Sequence, residues 1–139
     1  QLVDLPPVSE EHYEHWVYDC VRGLDGMVIV LDATAKDPLA DLGSVLSMLY
    51  EQHIRPTPEV GRAYVEESDK ILSTSVVLTK MDAAGAKEML SLIKELYSEP
   101  YRLTAASATS GEGVVHVIIS PSFIVVIPTS CVDVGSNGH

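Results

Sequence analysis

Basic side chains are scarce in this chain: nine Lys and Arg stand against 20 Asp and Glu, a formal charge of −11 over 139 residues. A surface of that sign repels phosphate backbones, and the few basic residues are scattered, so direct DNA or RNA binding is not expected. Cysteine is nearly absent. Cys20 and Cys131 form no Cys-x-x-Cys pair, which argues against a thiolate metal site and for a reducing, cytoplasmic compartment. The longest apolar stretch, Val114 to Ile127, is broken by His116, Ser120, Pro121 and Ser122. It is too short and interrupted to span a membrane, so no membrane association is expected. Gln1 to Leu5 leads straight into Pro6-Pro7, so no signal peptide is expected either, and there is no repeat or low-complexity tract.

What is present is an ordinary globular composition, 46% hydrophobic and 21% charged, of a length that suits one domain. Leu2-Val3 reads as a strand stub ending at Asp4-Leu5-Pro6-Pro7. Ser9 with Glu10 and Glu11 suits a helix start, and Tyr13, Val17, Cys20, Val21 and Leu24 continue it at helical spacing. Met27 to Leu31 is apolar throughout, as a parallel strand covered on both faces requires. Asp37-Pro38 then caps a helix carrying Leu39, Leu42, Val45, Leu46 and Leu49 on one stripe. His53 to Ser73, with Pro56, Pro58 and Gly61, reads as a long connection with a short helix near Arg62 to Ser68. A second strand is expected over 75–79, a helix over 86–96 and a third strand over 101–106. The alternation predicts an α/β fold: an open, mainly parallel sheet with helices on both faces. Right-handed crossovers then gather the strands' carboxyl ends along one edge, where ligands of such folds bind.

The residues at those ends are Asp4-Leu5-Pro6-Pro7, Asp32-Ala33-Thr34, Thr79-Lys80-Met81-Asp82, and Ser107-Ala108-Thr109-Ser110-Gly111-Glu112-Gly113. The first resembles the Asp-x-x-Gly switch motif of GTP-binding proteins. The third resembles their Asn/Thr-Lys-x-Asp guanine motif, and the last their Ser-Ala-x motif. Order and spacing over residues 1–113 are similar to a small GTPase domain of the three-layer P-loop-NTPase-like class, most of all the Obg/DRG-type GTPases of the TGS-domain branch. The resemblance implies GTP or GDP with Mg²⁺ as ligands, and the ribosome or translation machinery as a partner. It implies a guanine site at Thr79, Lys80, Asp82, Ser107 and Ala108, and a switch and phosphate side at Asp4, Pro7 and Val8.

The chemistry is consistent with that reading. A carboxylate at Asp82 can accept from the N1 and N2 donors of guanine, a donor pair adenine lacks. The Lys80 stem can lie along a base while its ammonium stays wet. Ser107 can hold its loop, and the Ala108 N–H can point at the guanine O6. By resemblance Asp4 holds Mg²⁺ through water. Pro7 replaces the motif's glycine and removes the N–H that would contact a γ-phosphate, while Val8 stands where many relatives carry a glutamine, implying slow hydrolysis. Asp82 ahead of Ala83-Ala84 also suits a helix N-cap.

The sequence departs from the family pattern in two places. It contains no Gly-x-x-x-x-Gly-Lys-[Ser/Thr], so neither a nest of N–H groups for phosphates nor its lysine is present. The expectation is a C-terminal part of a G domain whose phosphate loop lies before Gln1, inactive as a hydrolase by itself, with no catalytic residue. The second departure is residues 114–139, read as a separate β-rich tail: a hairpin or two edge strands over 114–127 and a frayed end. Two other readings compete. One is a nucleotide-independent interaction module with a degenerate GTPase fold. The other is a phospho-acceptor receiver, since Asp32 and Lys80 both follow strands, though it needs an acidic pair at the first strand and only Asp4 is there.

Overall fold

The computed structural model describes residues 2–4, 19–20, 23–24, 26–58, 69–111, 113 and 124–128, with the backbone alone at 2–4 and 124–128. Among the described residues six strands form one open sheet in which every pairing is parallel: β1 (Leu2–Asp4), β2 (Gly26–Asp32), β3 (Ile54–Thr57), β4 (Lys70–Thr79), β5 (Arg102–Ala105) and β6 (Ile124–Pro128). The order is β1-β6-β2-β4, and β4 then carries two neighbours on its far side. Its first half, Lys70–Ser73, pairs with β3, and its second, Ser75–Leu78, pairs with β5. Among the described residues two complete helices cross between these strands, α1 (Pro38–Glu51) and α2 (Ala86–Leu96).

β2 is the hub because its residues are apolar on both faces. Met27, Ile29 and Leu31 join Leu72, Val76 and Leu78 of β4 in the main core, while Val28 and Val77 face the other way with Ala106. Leu42, Val45, Leu46 and Leu49 of α1 and Ala86 and Ile93 of α2 all enter the main core. The connections β2-α1-β3 and β4-α2-β5 step across the sheet in the same direction, so right-handed crossovers place both helices over one face. Cys20, near the end of the β1–β2 connection, packs against that same core. The helices described thus account for one face of the expected two. Ile29, Leu31, Leu49, Ile54 and Leu78 are fully buried, each stabilising the fold by about 1.5–3 kcal/mol.

Local signals explain where α1 starts and stops. The Asp37 carboxylate accepts from the Ala40 N–H at 3.0 Å, with Pro38 in the first turn where its missing N–H is harmless. At the far end His53 takes a positive φ of 60° and turns the chain into β3. The turn is strapped from outside. Asp69, its side chain 4% exposed, accepts from Arg55 Nε at 3.2 Å and lies 3.1 Å from His53 Nδ1. Arg55 also donates to the Tyr50 carbonyl at 2.8 Å and stacks over its ring.

Two sequence expectations are corrected. The stretch from His53 to Ser73 is not one long connection, because Ile54–Thr57 and Lys70–Ser73 pair as parallel strands. Burial of Ile54 and Leu72 drives this, and Pro56 is tolerated because β3 needs donors on one side only. The helix expected over 62–68 lies outside the described residues. Ile124–Pro128 is not an edge strand or half of a hairpin: it lies inside the sheet, hydrogen-bonded to β1 on one side and β2 on the other. Pairing on both sides satisfies the backbone of a β-branched run that alternation alone left at the edge. The expected strand over 114–119 lies outside the described residues, as does most of the helix expected from Tyr13 to Leu24, of which Asp19 and Cys20 are helical.

Candidate functional site

The carboxyl ends of β2, β4 and β5 converge into one knot of backbone bonds. Ala33 donates to the Thr79 carbonyl at 3.1 Å, Ala106 to Leu78 at 2.8 Å, and Met81 to Ala106 at 3.3 Å. The Thr79 hydroxyl reaches back to the Leu31 carbonyl at 3.0 Å, sealing β4 to β2 below the loops. On this base the chain bends sharply. Lys80 takes φ 62°, a left-handed conformation costing a non-glycine residue about 1–2 kcal/mol. Such strain persists where the surroundings over-determine it. Here the Lys80 carbonyl accepts from Ala83 at 3.0 Å, while the side chain is tied elsewhere.

That tie is an ion pair. Lys80 Nζ lies 2.6 Å from Asp32 Oδ2. Asp32 is 6% exposed at the end of the central strand, and its other oxygen, Oδ1, accepts from the Thr34 N–H at 2.8 Å and the Thr34 hydroxyl at 2.6 Å. Burial pushes the Asp32 carboxyl up, but the Lys80 and Thr34 hydrogen bonds outweigh it and hold the group below its usual value. Asp41, one turn into α1, moves the opposite way, raised by burial and by the negative charges of Asp37 and Asp32.

A side-chain hydrogen bond joins the next two loops. Ser107 is fully buried and its hydroxyl donates to Asp82 Oδ1 at 2.7 Å. The same Ser107 oxygen accepts from the Ser110 N–H at 3.2 Å, and its carbonyl accepts from Gly111 at 2.8 Å. Asp82 is therefore not the cap of α2. That position belongs to Gly85, at φ 81°, with no side-chain capping bond. Asp82 is exposed, and its carboxylate is anchored through one oxygen. Gly113 closes the loop at φ 75°, pressed so tightly on β5 that an added Cβ would lie 2.1 Å from the Ala105 carbonyl oxygen.

Of the sequence-predicted residues, Thr79, Lys80, Asp82, Ser107 and Ala108 share this corner. Asp4 does not join them: β1 is separated from β2 by β6, and the register levels Asp4 with Val28. That is four residues short of Asp32, about 13 Å along the strands. Pro7 and Val8 lie outside the described residues. Among the described residues no group of three His, Cys, Asp or Glu side chains could hold a metal ion, so no residue set here is assigned to Mg²⁺. No helix among them is long and apolar enough to cross a membrane.

Sequence reasoning set Asp32 and Lys80 together only in the receiver reading and did not foresee their ion pair beside Asp82 and Ser107. The signal was a carboxylate ending a wholly apolar strand beside a lysine ending another, which in adjacent parallel strands are neighbours in register: Asp32 pairs with Thr79, one residue before Lys80. No family model and no curated protein matches this chain.

Proposed function

We propose that the chain is the guanine-recognising part of an Obg/DRG-like GTP-binding domain of P-loop-NTPase-like fold. The observation that carries the reading is the Ser107–Asp82 hydrogen bond. It ties the loop after β5 to the loop after β4 and leaves an exposed carboxylate held in one orientation. A fixed carboxylate beside a lysine stem suits a base that offers two adjacent N–H donors. Ser110 and Gly111 wrap the second loop around Ser107, so Ala108 sits within a hydrogen-bonded turn. The chain contains no Gly-x-x-x-x-Gly-Lys sequence, so the residues present recognise a base and assign no hydrolytic step. Mg²⁺ and GTP turnover belong to the resemblance alone.

The test is titration of the whole 139-residue chain with GDP and with ADP, followed by NMR. Preferential perturbation by GDP at Lys80, Asp82 and Ala108, lost in Asp82→Ala, supports a base site. Equal response to both nucleotides, or none, favours a nucleotide-independent interaction module instead.

A further inference from the structure

Within that base site, and resting on that reading, we infer that Asp32 is a positioning residue: with Thr34 it presets the Lys80 side chain as a rail on which a planar base lies. Lysine is the residue least suited to this task when free, because four rotatable bonds must be frozen for its stem to present one apolar edge. In this chain the freezing has been done in advance. The ammonium is anchored at 2.6 Å on Asp32 Oδ2. The anchor is itself fixed, because Thr34 occupies Oδ1 through both its N–H and its hydroxyl. Asp32 sits at the end of β2, a strand hydrogen-bonded on both sides, and is buried while Lys80 remains about half exposed. A buried, oriented carboxylate thus holds one end of an exposed chain of methylenes, and the positive φ of Lys80 holds the other. The arrangement separates two tasks. Asp82 reads the base edge, whereas the Asp32–Lys80 pair supports the base face without regard to its substituents.

The separation gives the test. The full chain is titrated with GDP and with IDP, whose hypoxanthine lacks the 2-amino donor, and the Lys80 ammonium is followed by ¹⁵N NMR. In Asp32→Asn, affinity for both nucleotides falls by the same factor, about three- to tenfold, the GDP-to-IDP ratio stays at the wild-type value, and the ammonium signal loses its protection from exchange. In Asp82→Ala the ratio itself collapses. Unchanged GDP affinity in Asp32→Asn overturns the positioning role, and so does a collapsed GDP-to-IDP ratio, which would mean that Asp32 shapes the base-edge loop. Should Asp32→Asn fail to fold, exposed Thr34→Ala carries the test: a smaller loss of affinity at constant ratio supports the role, and no loss overturns it. A wild-type chain that prefers neither GDP nor IDP over ADP overturns the base-site reading first, and the positioning role with it.

Discussion

Ser107 and Asp82, 25 residues apart, are joined by a 2.7 Å hydrogen bond between a hydroxyl with no solvent exposure and an exposed carboxylate. Because the same hydroxyl oxygen also receives the Ser110 N–H, a single side chain determines both the shape of one loop and the aim of another. Ser107→Ala removes both contacts without adding bulk. The expected cost is about 1–3 kcal/mol, measured as a shift in the urea midpoint, since the deleted group is buried. Amide exchange should rise across Ser107 to Gly111 and leave β2 unchanged. A variant as stable as wild type would show that the bond is incidental.

The loop's other end depends on glycine for a different reason. Gly113 combines φ 75° with a contact that no side chain can share, since its Cβ would meet the backbone of Ala105 at 2.1 Å. Gly111 has φ 80° but open space around it. Gly111→Ala should therefore cost about 1–2 kcal/mol, the conformational penalty alone. Gly113→Ala should cost clearly more, because β5 or the loop must move. Denaturant unfolding of the two variants side by side checks the order, and equal losses would refute the steric argument.

Acid should weaken the Asp32–Lys80 pair in a defined direction. Against burial, the Lys80 and Thr34 hydrogen bonds hold the Asp32 carboxyl below its ordinary value, so its ionised form stabilises the folded state above that ordinary value and the contribution is lost as pH falls through the folded pKa. The stability difference between wild type and Asp32→Asn should be constant from pH 7 to about 5 and shrink below pH 4. Thermal melts over this range measure it. A difference that grows on acidification would reverse the assignment.

Alkali tests a separate corner. Tyr97 donates to the Tyr101 carbonyl at 2.8 Å, and its phenol is pushed up to about 12, first by burial and then by the negative charges of Glu99 and Tyr101. The neutral form is the one the fold favours, so its stabilisation is complete below pH 10 and is lost as pH rises toward 12. Tyr101 is raised as well, first by burial, so phenolate absorbance should show a late-titrating component that shrinks by one tyrosine in Tyr97→Phe. If wild type and Tyr97→Phe titrate alike, the burial argument fails.

The elements legible in the sequence were those whose signal is local. The cap at Asp37 with Pro38, the stripe from Leu42 to Leu49 and the unbroken apolar run of β2 each stand within one window of sequence, and the structure has them there. The convergence of Lys80, Asp82 and Ser107 was legible for a related reason: parallel strands must end on one edge. What failed was non-local. β3 carries Pro56, which by propensity breaks strands, and becomes one only because β4 lies beside it. The position of β6 depends on two partners far away in sequence, and no periodicity within 124–128 could name them. The Lys80–Asp32 pair needed the β2–β4 register, which sequence alone does not supply.

The position of β6 has a temporal consequence. β1 is hydrogen-bonded to the rest of the sheet through β6, its neighbour in the strand order. Leu2–Asp4 must therefore wait for Ile124–Pro128 before it can dock, and during translation the flank of β2 that β6 covers stays open until residues 124–128 arrive. The half of the sheet from β2 to β5 can assemble while the chain is still growing. The other half closes only when Ile124–Pro128 has slotted between Leu2–Asp4 and β2.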